Sequence, residues 1–133
     1  MKKLLIVSAA ALIDGDGRVL LAQRPQGDPY EGLWEFPGGK LETGETPEAA
    51  LIRELQEELD INVDASCLSP VAFSSLDLDD FHLLMPLFVC RKWSGRPKAK
   101  EANALKWVRP NELLASKMPP ADIPLAAQLR DLL

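Results

Sequence analysis

Apolar residues along this chain fall into short runs, with one clearly helical stretch between them. Leu4–Ile13 and Val19–Ala22 are nearly unbroken apolar runs separated by Asp14-Gly15-Asp16-Gly17, which is turn chemistry, so they predict two strands of a hairpin. From Pro25 to Gly44 the pattern gives way to a loop rich in Pro and Gly, interrupted by Leu33-Trp34-Glu35-Phe36. A loop of that length in a small domain is more often functional than idle. Helical spacing follows. Thr46 is a good N-cap, Pro47 suits the first helical position, and Glu48 favours the positive end of the helix dipole. Ile52, Leu55 and Leu59 then predict a buried stripe on a helix that runs to about Leu59.

Beyond the helix, Val71–Leu76, His82–Arg91 and Leu105–Val108 read as strands. Pro110–Leu114 reads as the start of a short helix and Pro124–Leu133 as a terminal one. The run His82–Arg91 is almost wholly apolar, which predicts burial on both faces. Pro86 inside it cannot donate a ladder hydrogen bond and predicts an edge position or a bulge. No repeat, low-complexity tract or linker interrupts the chain, so the expectation is one domain over residues 1–133, of mixed α and β structure.

The start imitates a secretory leader, with Met1-Lys2-Lys3 ahead of the apolar run and Ala9-Ala10-Ala11 within it. The strand reading is preferred, because the turn and the returning run Arg18–Gln23 supply a partner. The run also falls far short of the ~20 residues that span a bilayer, so no membrane is expected.

Composition narrows the partners. The 133 residues carry 15 Lys+Arg against 20 Asp+Glu, a net charge of −5, with 47% apolar and 26% charged residues. That is ordinary for a globular protein and a poor balance for gripping a nucleic-acid polymer through its phosphates. Seven basic residues from Arg91 to Arg109 form a solvated segment that is also placed to guide an anion. Cys67 and Cys90 have neither disulfide-framework nor metal-knuckle spacing and read as reduced thiols of a cytosolic protein.

The candidate chemistry lies in Gly38-Gly39-Lys40-Leu41-Glu42-Thr43-Gly44-Glu45 and the helix behind it. At 100° per residue, Glu54, Glu57 and Glu58 share one helix face, roughly opposite Ile52, Leu55 and Leu59. Arg53 alone does not neutralise three carboxylates. Hard oxygen ligands grouped this way suit Mg²⁺ or Mn²⁺ with a phosphate completing the shell, the alternative being a solvated acidic face. Gly38 and Gly39 favour the first reading, since backbone without side chains can approach a ligand closely.

At these residues the sequence resembles the Nudix hydrolase family. Gly39, Glu45, Arg53, Glu54, Leu55, Glu57, Glu58 and Ile61 fall on the family pattern with its spacing, and Asp60 stands where the pattern has a helix-ending glycine. Asp tolerates the left-handed conformation needed there at a cost of about 1 kcal/mol or less. Leu33-Trp34-Glu35-Phe36-Pro37-Gly38-Gly39-Lys40, Trp93-Ser94-Gly95-Arg96-Pro97, Lys100-Glu101, Trp107 and Pro119-Pro120-Ala121-Asp122 extend the resemblance to the MutT branch, whose members hydrolyse oxidised purine nucleoside triphosphates.

The resemblance implies an α/β/α sandwich with a mixed sheet, and attack of water on the β-phosphorus to give a nucleoside monophosphate and pyrophosphate. It implies Mg²⁺, or Mn²⁺ in its place, held by Glu54, Glu57, Glu58 and the Gly38 carbonyl. Glu101 would complete the metal site or serve as base. Arg53 would orient the carboxylates, and Glu45 and Gly39 would shape the loop. Arg24 would reach the phosphates, with Glu35, Phe36, Pro37 and Gly38 in the substrate pocket. Phe36 would pack on the purine or serve the core, Phe81 would form another wall, and Asp122, where the branch usually has Asn, would meet the base edge. His82, the only histidine, is read as a strand residue. The expected activity is 8-oxo-dGTP hydrolysis in the cytoplasm by a monomer. The alternatives are CTP, dCTP or a nucleoside diphosphate derivative as substrate, or a nucleotide-sensing module without catalysis.

Overall fold

The computed structural model describes residues 2–133, so Met1, with which the leader-like start opens, lies outside the described residues. Strands β1 (Lys3–Leu12) and β2 (Val19–Gln23) follow the first two apolar runs, and the Asp14 carboxylate closes the turn by accepting the Asp16 and Arg18 N–H groups. The expected hairpin ladder does not continue past an isolated Ile13–Val19 bridge. β1 enters a four-stranded sheet and β2 a three-stranded one, because β1 is apolar on both sides and its inner half is covered on both.

The remaining elements are β3 (Trp34–Glu35), β4 (Gly38–Lys40), α1 (Pro47–Leu59), β5 (Ser69–Asp77), β6 (Phe81–Cys90), β7 (Ala104–Val108) and α2 (Asp122–Leu132). Short 3₁₀ turns lie at Ala65–Cys67 and Pro110–Ala115. The larger sheet has the order β4-β1-β6-β5, with β1 parallel to β6 and antiparallel to β4, and is therefore mixed. The smaller, β3-β2-β7, is antiparallel. The long Pro/Gly loop thus contains β3 and β4, too short to leave a period in the sequence.

Alternation along β1 divides the core. Ala9, Ala11 and Ile13 pack with Phe36, Leu125 and Leu129 on the α2 side, whereas Ala10 and Leu12 pack with Leu51, Leu55 and Leu59 of α1 on the other. This is the expected α/β/α sandwich. Leu51 replaces Ile52 in the buried stripe, and Ile52 packs at its margin.

Pro86 sits in β6, between β1 and β5, so the edge expectation fails. The irregularity it demands falls within the parallel ladder instead. Ile6 pairs with Leu84 and Ala9 with Leu87, while Val7 and Ser8 have no partners opposite Met85 and Pro86. A missing N–H is accommodated where the ladder is already broken.

Helix α1 begins as expected, with the Thr46 hydroxyl accepting the Ala49 N–H at 3.1 Å. It ends at Asp60 with φ 60°, and the Asp60 N–H reaches the Gln56 carbonyl at 3.1 Å. A strap then crosses the helix end: Lys98 and Lys100 donate their N–H groups to the Leu59 and Glu58 carbonyls at 2.9 and 3.1 Å. These bonds satisfy carbonyls the helix itself leaves open and bring Glu101 to the acidic face. Among the described residues no helix is long and apolar enough to cross a membrane. Cys67 and Cys90 are both free thiols, and burial pushes the Cys90 thiol up.

Candidate active site

Strand β4 lies against Val7, Ser8 and Ala9 of β1, with Gly38 turned to the β1 backbone and Gly39 to α1. Gly38 has φ 154°, and a side chain there would run into the Ser8 carbonyl. At Gly39 an added methyl would occupy the space of the Glu54 carboxylate. The absence of side chains at these two positions is what lets loop, strand and acidic helix meet. Gly39→Ala is therefore expected to force Glu54 off its position and lower kcat by about 10- to 100-fold with little change in melting temperature. Wild-type kcat in that variant would remove Glu54 from the chemistry.

Arg53 is the hub of the acidic face. Its Nε and Nη2 donate to the two Glu45 oxygens at 2.8 and 2.9 Å, Nη1 donates to Glu54 Oε1 at 2.8 Å, and Nη2 also donates to the Lys40 carbonyl at 3.0 Å. Its fork holds the Glu45 carboxyl down at about 2 and raises its own pKa, the Glu45 hydrogen bonds being the largest cause. Glu45 and Arg53 thus lock the loop to the helix and fix one oxygen of Glu54.

Glu58 occupies the opposite situation. Burial first, and then the neighbouring Glu54, Glu35 and Glu101 charges, push its carboxyl up to about 9. Glu57 differs from the other two: it is exposed, 3.4 Å from Arg53. The three carboxylates expected on one face are therefore two inner groups, Glu54 and Glu58, with Glu57 at the rim. Among the described residues no three acidic, His or Cys side chains form a closed cage around a metal position. Like-charge repulsion favours that spacing, and Arg53 holds Glu54 to its own side. The donor set nevertheless fits a divalent cation, because it consists of hard oxygens whose charge is uncompensated enough to raise Glu58. Glu54, Glu58, Glu101 and the Gly38 carbonyl are the groups that would hold it, with Glu57 in reach from the rim.

Two cavities adjoin this cluster. One, about 350 Å³, is lined by Gly38, Gly39, Glu58 and Glu101. The other, about 270 Å³, has an apolar lining of Leu76, Phe81 and Leu83, with Asp122 at its wall. Val7, Arg24, Glu35, Lys40 and Met85 line both, so the two are halves of one elongated cleft.

Arg24 is placed in the cleft, but its guanidinium is engaged by carboxylates. Nε and Nη2 meet Asp28 at 2.6–2.8 Å, and Nη1 meets Glu35 at 2.8 Å. Burial raises the Glu35 carboxyl, opposed by Arg24. Phe36 is 2% exposed and packs in the core, while its N–H donates to Asp122 Oδ2 at 3.0 Å. Burial pushes the Asp122 carboxyl up to about 7. Pro37 lines neither cavity; its carbonyl accepts the Ala10 N–H at 2.8 Å. His82 pairs across strands with Asp77 and bonds Ser75 at 2.6 Å, on the outer surface. Sequence reasoning missed Asp28, Tyr30 and Lys40 as cleft residues. Only Asp28 left a signal, its spacing of four from Arg24.

An acidic helix face, a glycine strand and a split polar–apolar cleft on an α/β/α sandwich define a metal-assisted hydrolase acting at phosphate. The NUDIX domain model matches residues 2–129, and the chain belongs to the Nudix family, whose hydrolases depend on a divalent metal. It is a Nudix pyrophosphohydrolase. It is 41% identical over 121 residues to the CTP pyrophosphohydrolase of Escherichia coli, covering 91% of this chain and 88% of that one. It is 36% identical over 135 residues to the 8-oxo-dGTP diphosphatase of the same organism, covering 99% and 100%. The solution structure of the E. coli ORF135 protein superposes with a TM-score of 0.88 at 37% identity, covering 98% of this chain and 91% of that one.

Proposed function

We propose that this enzyme, one Nudix domain over residues 1–133, hydrolyses 8-oxo-dGTP to 8-oxo-dGMP and pyrophosphate with Mg²⁺, as a cytoplasmic monomer that cleanses the nucleotide pool. The observation that carries the reading is the cleft itself, with carboxylates and glycine backbone at one end and a buried carboxyl in an apolar slot at the other. A bound divalent cation would screen the triphosphate and stabilise the charge developing on it. Glu54, Glu58, Glu101 and the Gly38 carbonyl, with Glu57 at the rim, would hold that cation, Arg53 and Glu45 keep Glu54 oriented, and Lys40 lines the cleft where a polyphosphate would lie. Water forms a bond to the β-phosphorus as the bond from that phosphorus to the α–β bridging oxygen breaks. The nucleoside monophosphate leaves, and the water proton passes to Glu54 or Glu101.

At the other end, a protonated Asp122 offers one donor, while Oδ2 keeps a lone pair beside its bond from Phe36. 8-Oxoguanine presents N7–H next to O6, a donor beside an acceptor, and matches that pattern. Guanine presents two acceptors there and does not. Cytosine, with N4–H₂ beside N3, also matches, and the similarity to the CTP pyrophosphohydrolase supports CTP or dCTP as a second reading.

A hydrolysis panel with Mg²⁺ tests both. The expected result is pyrophosphate release, with kcat/KM higher for 8-oxo-dGTP than for dGTP, and with ¹⁸O from water in the pyrophosphate. Label in the monophosphate would move attack to the α-phosphorus. Faster turnover of CTP than of 8-oxo-dGTP would select the second reading, and orthophosphate as first product would reject both.

A further inference from the structure

The apolar half of the cleft is built from two separate sheets. Leu76, Phe81 and Leu83 come from the β5–β6 hairpin, whereas Tyr30 comes from the loop after β2, in the other sheet. Tyr30 is the only tyrosine in the chain and is 42% exposed at the cavity lining. Its loop turns at Gly27 and Gly32, with φ of 85° and 82°, conformations that favour glycine.

Between those turns the backbone is tied down. Asp28 Oδ1 accepts the Tyr30 N–H at 3.1 Å, and the same carboxylate is gripped by Arg24, which also holds Glu35 at the junction of the two cavities. Glu31 Oε1 accepts the Gly27 N–H at 2.8 Å. The backbone that carries this aromatic ring, exposed at the lining of an apolar slot, is thus tied through a continuous polar chain to the floor of the cleft. Covering its own core does not explain that arrangement, since the ring remains nearly half in solvent.

We propose that Tyr30 is a specificity-determining residue, whose ring stacks on the base of a bound nucleotide and whose position is set by the Arg24–Asp28 ion pair. The proposal rests on the nucleotide reading above. Aromatic stacking tolerates any base, so Tyr30 contributes affinity for a nucleoside over bare polyphosphate, while the choice among bases stays with Asp122. Asp28 acts as a positioning residue through the loop.

Two measurements test it. Tyr30→Ala is expected to raise KM for the nucleoside triphosphate about 10-fold with little change in kcat, and Tyr30→Phe to restore KM. Asp28→Ala is expected to raise KM in the same direction, and to add little in the double variant with Tyr30→Ala, because both remove one interaction. In the second measurement the single tyrosine is nitrated, and nitrotyrosine absorbance is followed as dGMP, CMP or inorganic tripolyphosphate is added with Mg²⁺. Both monophosphates should shift the spectrum and tripolyphosphate should not. An unmoved spectrum with dGMP and CMP, or an unchanged KM in Tyr30→Ala, overturns the assignment. A spectral shift with dGMP in a protein that hydrolyses no nucleoside triphosphate would keep Tyr30 against a base and overturn the hydrolytic reading instead.

Discussion

Glu58→Gln is expected to lower kcat by at least about 100-fold and at the same time to stabilise the metal-free protein. The two effects share one cause. Burial and the Glu54, Glu35 and Glu101 charges hold the Glu58 carboxyl up at about 9, far above its ordinary range. The native state therefore binds a proton there that the unfolded chain, with a carboxyl near 4.5, has already released. Stability from this group is fully present below about pH 4.5 and is lost as pH rises toward 9. A neutral amide of the same shape does not titrate, so the variant should gain on wild type across that window, and more at pH 8 than at pH 5. Thermal melts in EDTA at pH 5 and pH 8, alongside kcat at saturating Mg²⁺, check it. Loss of both activity and stability would make Glu58 a structural residue. Glu57→Gln, at the rim, is expected to lower kcat without moving the melting temperature.

That contrast between Glu57 and Glu58 marks how far the sequence could be read. Helical geometry placed both on one face with Glu54, and the spacing Glu54-x-x-Glu57-Glu58 marked the three as one group. What surrounds Glu58 depends on Glu35 and on Glu101, the latter brought in by a strap some forty residues later. Periodicity has no access to contacts of that kind. The strands and α1 were legible because long apolar runs and capping residues act locally. β3 and β4 were not, because strands of two and three residues derive their order from neighbours rather than from pattern. Arg24 shows the same limit: its place in the cleft was expected, but its engagement by Asp28 and Glu35 required the fold. Pro86 signalled an irregularity in β6 without saying on which side of the strand it would fall.

Asp122 should govern base choice, and its titration makes the choice depend on pH. The carboxyl is buried, accepts the Phe36 N–H through Oδ2, and is pushed up to about 7 by burial, with the Glu35 charge adding and Arg24 opposing. Only the protonated form supplies a donor to a base carbonyl while still accepting an N–H. Selectivity for 8-oxo-dGTP over dGTP is expected to rise as pH rises through about 7, because the ionised carboxylate still accepts the N7–H of 8-oxoguanine but has no donor left for the two acceptors of guanine. Asp122→Asn keeps one donor and one acceptor at every pH, so its selectivity should be flat from pH 6 to 9. Asp122→Ala leaves neither, and should lose about 100-fold in kcat/KM for 8-oxo-dGTP with much less change for dGTP. Stability follows the same proton. A folded pKa of about 7 against an unfolded 3.8 gives a contribution of about 4 kcal/mol that is present below pH 4 and gone above pH 7. The Asn variant lacks that loss, so the difference between its melting temperature and that of wild type should move in its favour between pH 5 and 8. Base selectivity in wild type that stays constant from pH 6 to 9, or a selectivity ratio unchanged in Asp122→Ala, would place base recognition elsewhere in the cleft.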